Sequence, residues 1–377
     1  MDGALLEFMP KQPEHDPFKL RIHRLTFDNV SEGRSIPYHV ALSNTEPPGE
    51  IRADGEIGPW NEDDPGSTSV TGSYTYEHAN LAVFEGISGT LSSHGKFSGT
   101  IGHMDANGET DVPDFRVSGS SHTVHLTSKF QAVVDGTNGD TYLQNVDSHF
   151  QRTTLTTSGS VIGQPGQHGK TVRLEIAVNG GRIEDLLCLF TEEKRPSMTG
   201  SINLRAKVQV PPGPPGFLRK LDLTAGFGIG SGRFTDSNVQ QPINTLTQSA
   251  RGENKKQEAE DRETVLSNLK GQVYVKNGVV TLSNIFFSAP GTLAQIQGTY
   301  SLVDQKVDLH GVLHTNGKLS DNTSGFKALV LKAVGPFLKK KSVTVVPFKI
   351  TGTSSNPSFA LDFLGKRRES SLPSPKR

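Results

Sequence analysis

Several segments of this chain alternate apolar and polar residues with a period of two. The segments 172–178, 202–210 and 221–230 show the pattern most clearly. Successive side chains of a β-strand point to opposite faces of the sheet, so the pattern predicts strands with one apolar and one polar face. A chain built from such strands is expected to be mainly β.

Glycine and proline recur between these segments. The 377 residues include 40 Gly and 22 Pro, and only 33% are hydrophobic, which is little for a thick globular core. We therefore expect an all-β fold, an elongated and curled antiparallel sheet that grows by hairpins and has few short helices. The predicted organisation is one such region over residues 1–364, with a charged loop inserted at 251–264 and a disordered basic tail at 365–377.

One hairpin is specific enough to predict its register. Asn277-Gly278 is a sequence typical of the two positive-φ positions of a type I′ turn. A two-residue turn at this point pairs Val275 with Val280, and Val273 with Leu282. All four residues then lie on one face, as a correct register requires.

Glycines also occur in a loose repeat of a small residue, Gly and another small residue. The repeat is centred on glycines 72, 89, 99, 119, 159, 200, 298 and 352. Its irregular spacing fits successive strands of one sheet better than a solenoid of fixed period. At the end of the 221–230 segment, Gly226, Gly228 and Gly230 occupy every other position, which predicts close packing or strong curvature on that side.

Helical patterns are few. Residues 183–190 form one amphipathic stretch, and residues 243–249 a second. Residues 324–341 place Phe326, Leu329, Val330, Ala333 and Phe337 on one helical stripe, with Lys327, Lys332, Lys339, Lys340 and Lys341 adding charge. This C-terminal amphipathic helix is interpreted as a cap on the sheet. The alternative is a contact with a membrane surface or a partner through Phe326, Leu329, Val330, Phe337 and Lys339 to Lys341.

Charge and motif spacing argue against several classes of function. The 39 basic residues balance the 39 acidic ones, so nucleic acid is not an expected partner. The segment 163–171 ends in Gly-Lys-Thr but has Gln164 at the first glycine of a phosphate loop, and a strand follows it, so no nucleotide is expected. No Gly-Xaa-Ser-Xaa-Gly elbow occurs. We therefore do not expect this chain to be an enzyme.

Metal and disulfide chemistry are not expected either. Pairs such as His310 and His314 lack a third metal ligand at a useful spacing. The segment 135–140 lacks the glutamate that closes a calcium-binding loop, so we interpret it as a hairpin turn. Cys188 is the only cysteine, so an internal disulfide cannot form. No cofactor and no metal are predicted.

Residues 1–11 contain neither a signal-peptide core nor a membrane anchor, which indicates either a cytoplasmic protein or a missing N-terminal part.

Two stretches resemble a known family. The first runs from Pro47-Pro48-Gly49-Glu50-Ile51 through Trp60 to the segment 84–95. The second begins with Gly180-Gly181-Arg182-Ile183-Glu184-Asp185-Leu186-Leu187 and continues through 221–235, 268–288 and 351–362. Together they resemble the C-terminal part of the AsmA-like proteins of the bacterial cell envelope, over about residues 23–363.

The resemblance implies a β-groove with an apolar inner face that conducts phospholipids between the inner and outer membranes or supports outer-membrane assembly. It implies a periplasmic location with inner-membrane association, and partners that are phospholipids or other lipids together with inner- or outer-membrane proteins. Family members usually begin with a membrane-spanning helix, which this sequence lacks. The residues expected on the lipid-binding face are Leu174, Ile176, Leu204, Val208, Leu223, Phe227, Val273, Val275, Val280 and Leu282.

Two alternatives remain open at this point. A structural or adhesive β-protein would have its apolar face closed by a second sheet or a partner chain. An envelope hydrolase would need paired carboxylates, and these cannot be selected from 39 acidic residues by sequence alone.

Overall fold

A computed structural model describes residues 2–8, 18–31, 33–164, 167–190, 195–235, 267–289, 292–315, 344–353 and 356–361. Most of these residues lie in antiparallel strands, which confirms the predicted fold class. Contacts divide the chain into two compact units. Unit 1 is Met1–Pro196 with Leu204–Leu223, and unit 2 is Ser197–Asn203 with Thr224–Arg377. The prediction of one continuous region stays a prediction.

Twenty strands and two short helices are described. The strands are β1 (Asp2–Phe8), β2 (Phe18–Phe27), β3 (Ile36–Thr45), β4 (Pro48–Ile57), β5 (Ser69–Asn80), β6 (Ile87–Ser88), β7 (Thr90–Thr100), β8 (His103–Val117), β9 (Val124–Val134), β10 (Thr141–Phe150), β11 (Thr153–Gly163), β12 (Lys170–Arg182), β13 (Met198–Val210), β14 (Asp222–Phe234), β15 (Ser267–Lys276), β16 (Val279–Ala289), β17 (Thr292–Ser301), β18 (Lys306–Thr315), β19 (Thr344–Thr353) and β20 (Asn356–Leu361). The helices are α1 (Ile183–Phe190) and α2 (Phe217–Lys220), and 3-10 turns cover Pro65–Ser67 and Leu81–Val83.

Unit 1 is an antiparallel meander. Each of β1 to β4 pairs with the next strand, β5 pairs with β7, and β7 to β12 again pair in order. The two-residue strand β6 pairs with β8. Alternation of buried and exposed residues along these strands gives one half-buried face and one exposed face.

Glycines on the half-buried face of unit 1 lie between aromatic rings. Tyr38, Gly55, Gly72 and Phe97 are directly opposite one another on four successive strands. Tyr74, Gly95, Gly108 and Phe130 repeat the arrangement one row away. Aromatic rings that cover cross-strand glycines are a known stabilising device of β-sheets.

The small core at this place is centred on Tyr38, Ala53 and Val70. Burial, and then the charge of Asp54, raise the pKa of Tyr38 to about 12. The Tyr38 phenol therefore stays protonated at neutral pH, and its hydroxyl donates to the carbonyl of Thr71 at 3.4 Å.

Two acidic side chains fix helix α1 to the meander. The buried carboxylate of Asp185 accepts hydrogen bonds from the backbone N–H of Arg152 at 3.0 Å and from the Thr153 hydroxyl at 2.9 Å. Glu184 accepts from the guanidinium groups of Arg152 at 3.0 Å and Arg182 at 2.7 Å. The motif that carries the family resemblance in this region thus has a structural role in joining α1 to the β10–β11 turn.

Unit 2 is a second antiparallel meander, in which β15 to β20 pair in order. The predicted hairpin is confirmed. Asn277 and Gly278 have φ values of 54° and 75°, and Val275 pairs with Val280 and Val273 with Leu282.

The small-Gly-small repeat has a backbone explanation. All of its glycines except Gly72 have positive φ. Gly159 in unit 1 and Gly298 in unit 2 are nearly equivalent, with φ of 146° and 145°, and an added Cβ would lie 2.0 and 2.2 Å from the carbonyl oxygens of Arg173 and Asp308. Only glycine fits such positions, so both units use the same device to bring neighbouring strands close together.

The alternating glycines of β14 were expected to mark close packing or strong curvature, and close packing is found at one of the three. A Cβ added at Gly226 or Gly228 meets no atom within 4 Å, whereas one at Gly230 would lie 2.8 Å from the Ser201 hydroxyl. Close packing is therefore confined to Gly230. At the other two positions, the missing side chain leaves open space beside the strand.

Other predictions have mixed outcomes. Residues 183–190 form α1, and residues 135–140 form the β9–β10 hairpin turn, in which the Asp135 carboxylate accepts from the backbone N–H of Thr137 at 2.9 Å. The predicted helix at 243–249, the charged loop at 251–264, the amphipathic helix at 324–341 with its contact residues, and the tail at 365–377 lie outside the described residues.

Candidate functional site

One face of β15 to β19 in unit 2 carries adjacent rows of apolar side chains and glycine. We call them the apolar rows. They are Val275, Val280, Tyr300, Val307 and Gly352; Val273, Leu282, Gly298, Leu309 and Ile350; Ile285, Ile296, Gly311 and Phe348; and Phe287, Ala294 and Leu313. On the opposite face the row Tyr274, Thr281, Thr299, Asp308 and Thr351 is polar, whereas Phe286, Leu293, Val312 and Val345 lie on the same face towards the other end of the strands.

Most side chains in the apolar rows are half-buried. Val275, Ile285, Ala294 and Leu313 are buried, whereas others such as Leu282, Leu309 and Phe348 keep part of their surface accessible. Both described helices belong to unit 1, so the described part of unit 2 contains no helix. Partly accessible apolar area of this extent is a surface to which hydrocarbon can bind.

The sequence-predicted residues divide between the units. Leu174 and Ile176 on β12, Leu204 and Val208 on β13, and Leu223 on β14 belong to unit 1. Phe227, Val273, Val275, Val280 and Leu282 belong to unit 2, where the last four lie together in the apolar rows. All ten residues are half-buried except Val275, which is buried.

Sequence reasoning missed the continuation of the apolar rows over β17 to β19. The segments around Val307 and Leu309, and around Phe348 and Ile350, alternate clearly enough to be found. Ile285 could not be placed, because the β15–β16 and β16–β17 ladders change register next to Asn284. Asn284 has φ of 52°, and the bulge moves Ile285 onto the face of Leu282 although the two are three residues apart.

No protein-family model, curated protein or solved structure matches this chain.

The corresponding half-buried face of unit 1 carries the rows of aromatic side chains and glycines described above, and beside them one row of a different chemistry. Tyr76, Ser93, Thr110, Ser128 and Ser148 are directly opposite one another on five successive strands, in place of an apolar row. We call this the hydroxyl row. The Ser93 hydroxyl lies 3.0 Å from the Tyr74 hydroxyl and donates to the Glu109 carbonyl at 3.0 Å, while the hydroxyls of Ser128 and Ser148 lie 2.8 Å apart.

The exposed face of unit 1 holds a depression of about 620 Å³ between two rows of polar side chains. We call it the transverse trench, because it crosses β5 and β7 to β11. One row is Thr75, His94, Glu109, Lys129 and Asp147, and the other is Glu77, Ser92, Asp111, Thr127, His149 and Thr154. Backbone at the hydroxyl row forms the floor, because the side chains of that row point to the opposite face.

Three of the four carboxylates in the transverse trench have partners. Lys129 Nζ lies 3.0 Å from Glu109 Oε1, and the hydrogen bond and charge of Lys129 lower the pKa of Glu109. His125 Nε2 lies 2.5 Å from Asp111 Oδ1. Asp147 accepts from the Asn145 amide at 2.9 Å and the Thr156 hydroxyl at 3.2 Å. The trench therefore presents carboxylate acceptors that already have a hydrogen-bond donor or a basic group beside them.

Two further findings concern metal ions and membrane spans. The described side chains contain no group of three His, Cys, Asp or Glu residues arranged to hold a metal ion. Among the helices in the described ranges, none has the length and apolar character needed to span a bilayer.

Proposed function

We propose that this chain is a non-enzymatic, AsmA-like protein of the bacterial cell envelope, located in the periplasm, that binds or conducts phospholipids between the inner and outer membranes or supports outer-membrane biogenesis. The observation that carries the proposal is the set of apolar rows in unit 2. The residues named for the family resemblance at 268–288 supply β15 and β16 of this face.

The chemistry of the apolar rows fits acyl chains better than a polar ligand. A polar group buried against these side chains would lose its hydrogen bonds to water without replacement. Each acyl methylene that moves from water onto such a surface contributes about 0.8 kcal/mol. A face several strands wide can therefore hold a phospholipid tail without any specific pocket.

The experiment is native mass spectrometry of the chain purified from a bacterial periplasm, with identification of the co-purified lipids. Leu282→Asp introduces a charge into the half-buried apolar rows, and Thr281→Asp introduces the same charge at the exposed neighbouring position of the same strand. We expect bound phospholipid on the wild type and on Thr281→Asp, and about a tenfold loss on Leu282→Asp. Val275 is unsuitable for this test because it is buried, so that a charge there would unfold the strand.

A folded wild-type chain that never retains lipid would contradict the proposal. That result would favour the alternative of a structural or adhesive β-protein whose apolar face is closed by a second sheet or a partner chain. Circular dichroism of both aspartate variants separates loss of lipid from loss of fold.

A further inference from the structure

We infer that the transverse trench on the exposed face of unit 1 binds a linear saccharide chain. The inference is independent of the proposed function, because it rests on the polar face of unit 1 and uses no residue of the apolar rows. It starts from the shape of the depression. Six strands cross it, and strands lie about 4.8 Å apart, so the trench is about 24 Å long.

The trench repeats its chemistry from strand to strand. The strands β5 and β7 to β10 each add two polar side chains, one on each side, and β11 adds Thr154. A ligand that lies along the trench therefore meets hydrogen-bonding groups at a regular spacing of about 4.8 Å. A linear polymer of small polar units matches such a surface, whereas a compact ligand would use only part of it.

The types of side chain favour a polyhydroxylated ligand. Carboxylates such as Glu109 accept only, the Lys129 ammonium donates only, and hydroxyls such as that of Thr127 do both. Sugar hydroxyls also donate and accept, so they can satisfy all three kinds of group. An apolar ligand would displace the water around these exposed groups without replacing its hydrogen bonds, at a cost in free energy.

Charge argues against an anionic polymer, and the contacts that the carboxylates already make argue against a strongly cationic one. Four carboxylates, Glu77, Glu109, Asp111 and Asp147, face one lysine, Lys129, which disfavours polyphosphates and nucleic acids. Three of these carboxylates already lie beside Lys129, His125 or the donors on Asn145 and Thr156. A basic peptide would have to compete with those contacts, whereas a neutral saccharide can add hydrogen bonds beside them.

The test is isothermal titration calorimetry of the full chain against four probes of matched length. They are the tetramer of N-acetylglucosamine, maltotetraose, a tetramer of galacturonate and tetralysine. We expect at least one of the two neutral saccharides to bind, and the galacturonate tetramer to bind at least about tenfold more weakly.

Two tryptophan variants on β9 make the test site-specific. Thr127→Trp fills the middle of the trench, and it should weaken saccharide binding by about tenfold or more. Gln131→Trp places the same ring on the same exposed face of β9, outside the trench, and it should leave binding unchanged. Aromatic residues are common in β-strands, so both positions should accept tryptophan. Circular dichroism checks the fold of each variant.

Three outcomes would overturn the inference. Absence of binding by both neutral saccharides at millimolar concentration is the first. The second is that Gln131→Trp weakens saccharide binding as much as Thr127→Trp does, since the ligand would then lie elsewhere. Tight binding of tetralysine alone, lost at high salt, is the third, and it would identify the trench as a site for basic peptides. None of these outcomes bears on lipid binding by unit 2.

Discussion

The half-buried faces of units 1 and 2 are built on similar backbones, and unit 1 differs by one row of hydroxyl-bearing side chains among its apolar ones. Both units are antiparallel meanders, and both contain glycines with φ near 145° where neighbouring strands approach closely. The apolar rows of unit 2 contain a single hydroxyl, that of Tyr300, whereas unit 1 has a complete hydroxyl row from Tyr76 to Ser148.

The backbone of such a sheet therefore does not decide what its face binds. Hydroxyl groups that bond to one another can line a half-buried face at little net cost, because each finds a partner. They nevertheless reduce the gain from burying hydrocarbon against that face. Lipid binding is therefore assigned to the apolar rows of unit 2 and is not expected at the hydroxyl row of unit 1.

We expect the largest loss of stability from substitutions of the positive-φ glycines that both units contain. Gly159→Ala and Gly298→Ala each force a side chain into a positive-φ position and against a backbone carbonyl. Each should lower the free energy of unfolding by about 3 kcal/mol. Hydrogen exchange would assign the loss to unit 1 for the first variant and to unit 2 for the second. The control, Gly226→Ala, meets no atom within 4 Å and should be tolerated.

The next largest loss of stability is expected in unit 1 alone, at the buried carboxylate of Asp185. Asp185→Ala removes the acceptor for the Arg152 N–H and the Thr153 hydroxyl, and should cost about 2 kcal/mol, measured by urea denaturation. Glu175→Ala is the control, because its pair with Lys207 is exposed and should contribute less than about 0.5 kcal/mol. Increased hydrogen exchange in unit 2 after Asp185→Ala would show that the two units are not separate in stability.

A smaller effect tests the hydroxyl row. Ser148→Ala removes the partner of the Ser128 hydroxyl and should cost about 1 kcal/mol. The double variant Ser128→Ala with Ser148→Ala should cost no more than the single one, since no hydroxyl is then left without its partner. A double-mutant cycle by chemical denaturation measures this coupling. Strict additivity would mean that the two serines do not stabilise each other.

The smallest effect is a pH dependence on the exposed face of unit 1. Hydrogen bonding to Asp54, and then the charges of Asp54 and Asp28, raise the pKa of His39 above 6.5. This contribution to stability is complete below pH 6.5 and is lost as the pH rises through the raised pKa of the folded state. NMR titration should show that Asp54→Asn lowers the pKa of His39 towards 6.5. An unchanged pKa would mean that Asp54 does not stabilise the protonated His39 ring in the folded chain.

Much of the fold could be predicted from local pattern. Alternation of period two gave the strands, and Asn277-Gly278 gave one complete register, because a type I′ turn permits only one pairing. Bulges limited the prediction elsewhere. Asn268 and Asn284 have positive φ inside strands, and each shifts the register of the residues that follow, which alternation alone cannot reveal.

The candidate sites were less predictable than the fold. The apolar residues of β15 and β16 were found because their two strands are joined by the recognisable turn. The transverse trench was missed because its residues come from six strands, and residues such as Glu109 and Lys129 look like ordinary solvent-facing positions within their own segments. Only the pairing of the strands brings them into two rows.

Site-specific photocrosslinking to lipid in a bacterial periplasm tests the difference between the units most directly. A photoreactive amino acid would replace Leu309 in the apolar rows, Asp308 on the opposite face of the same strand, and Thr110 in the hydroxyl row. Phospholipid adducts are expected at Leu309 and not at Asp308 or Thr110. Equal adduct yields at all three positions, or adducts at Thr110 alone, would contradict the assignment of lipid binding to unit 2.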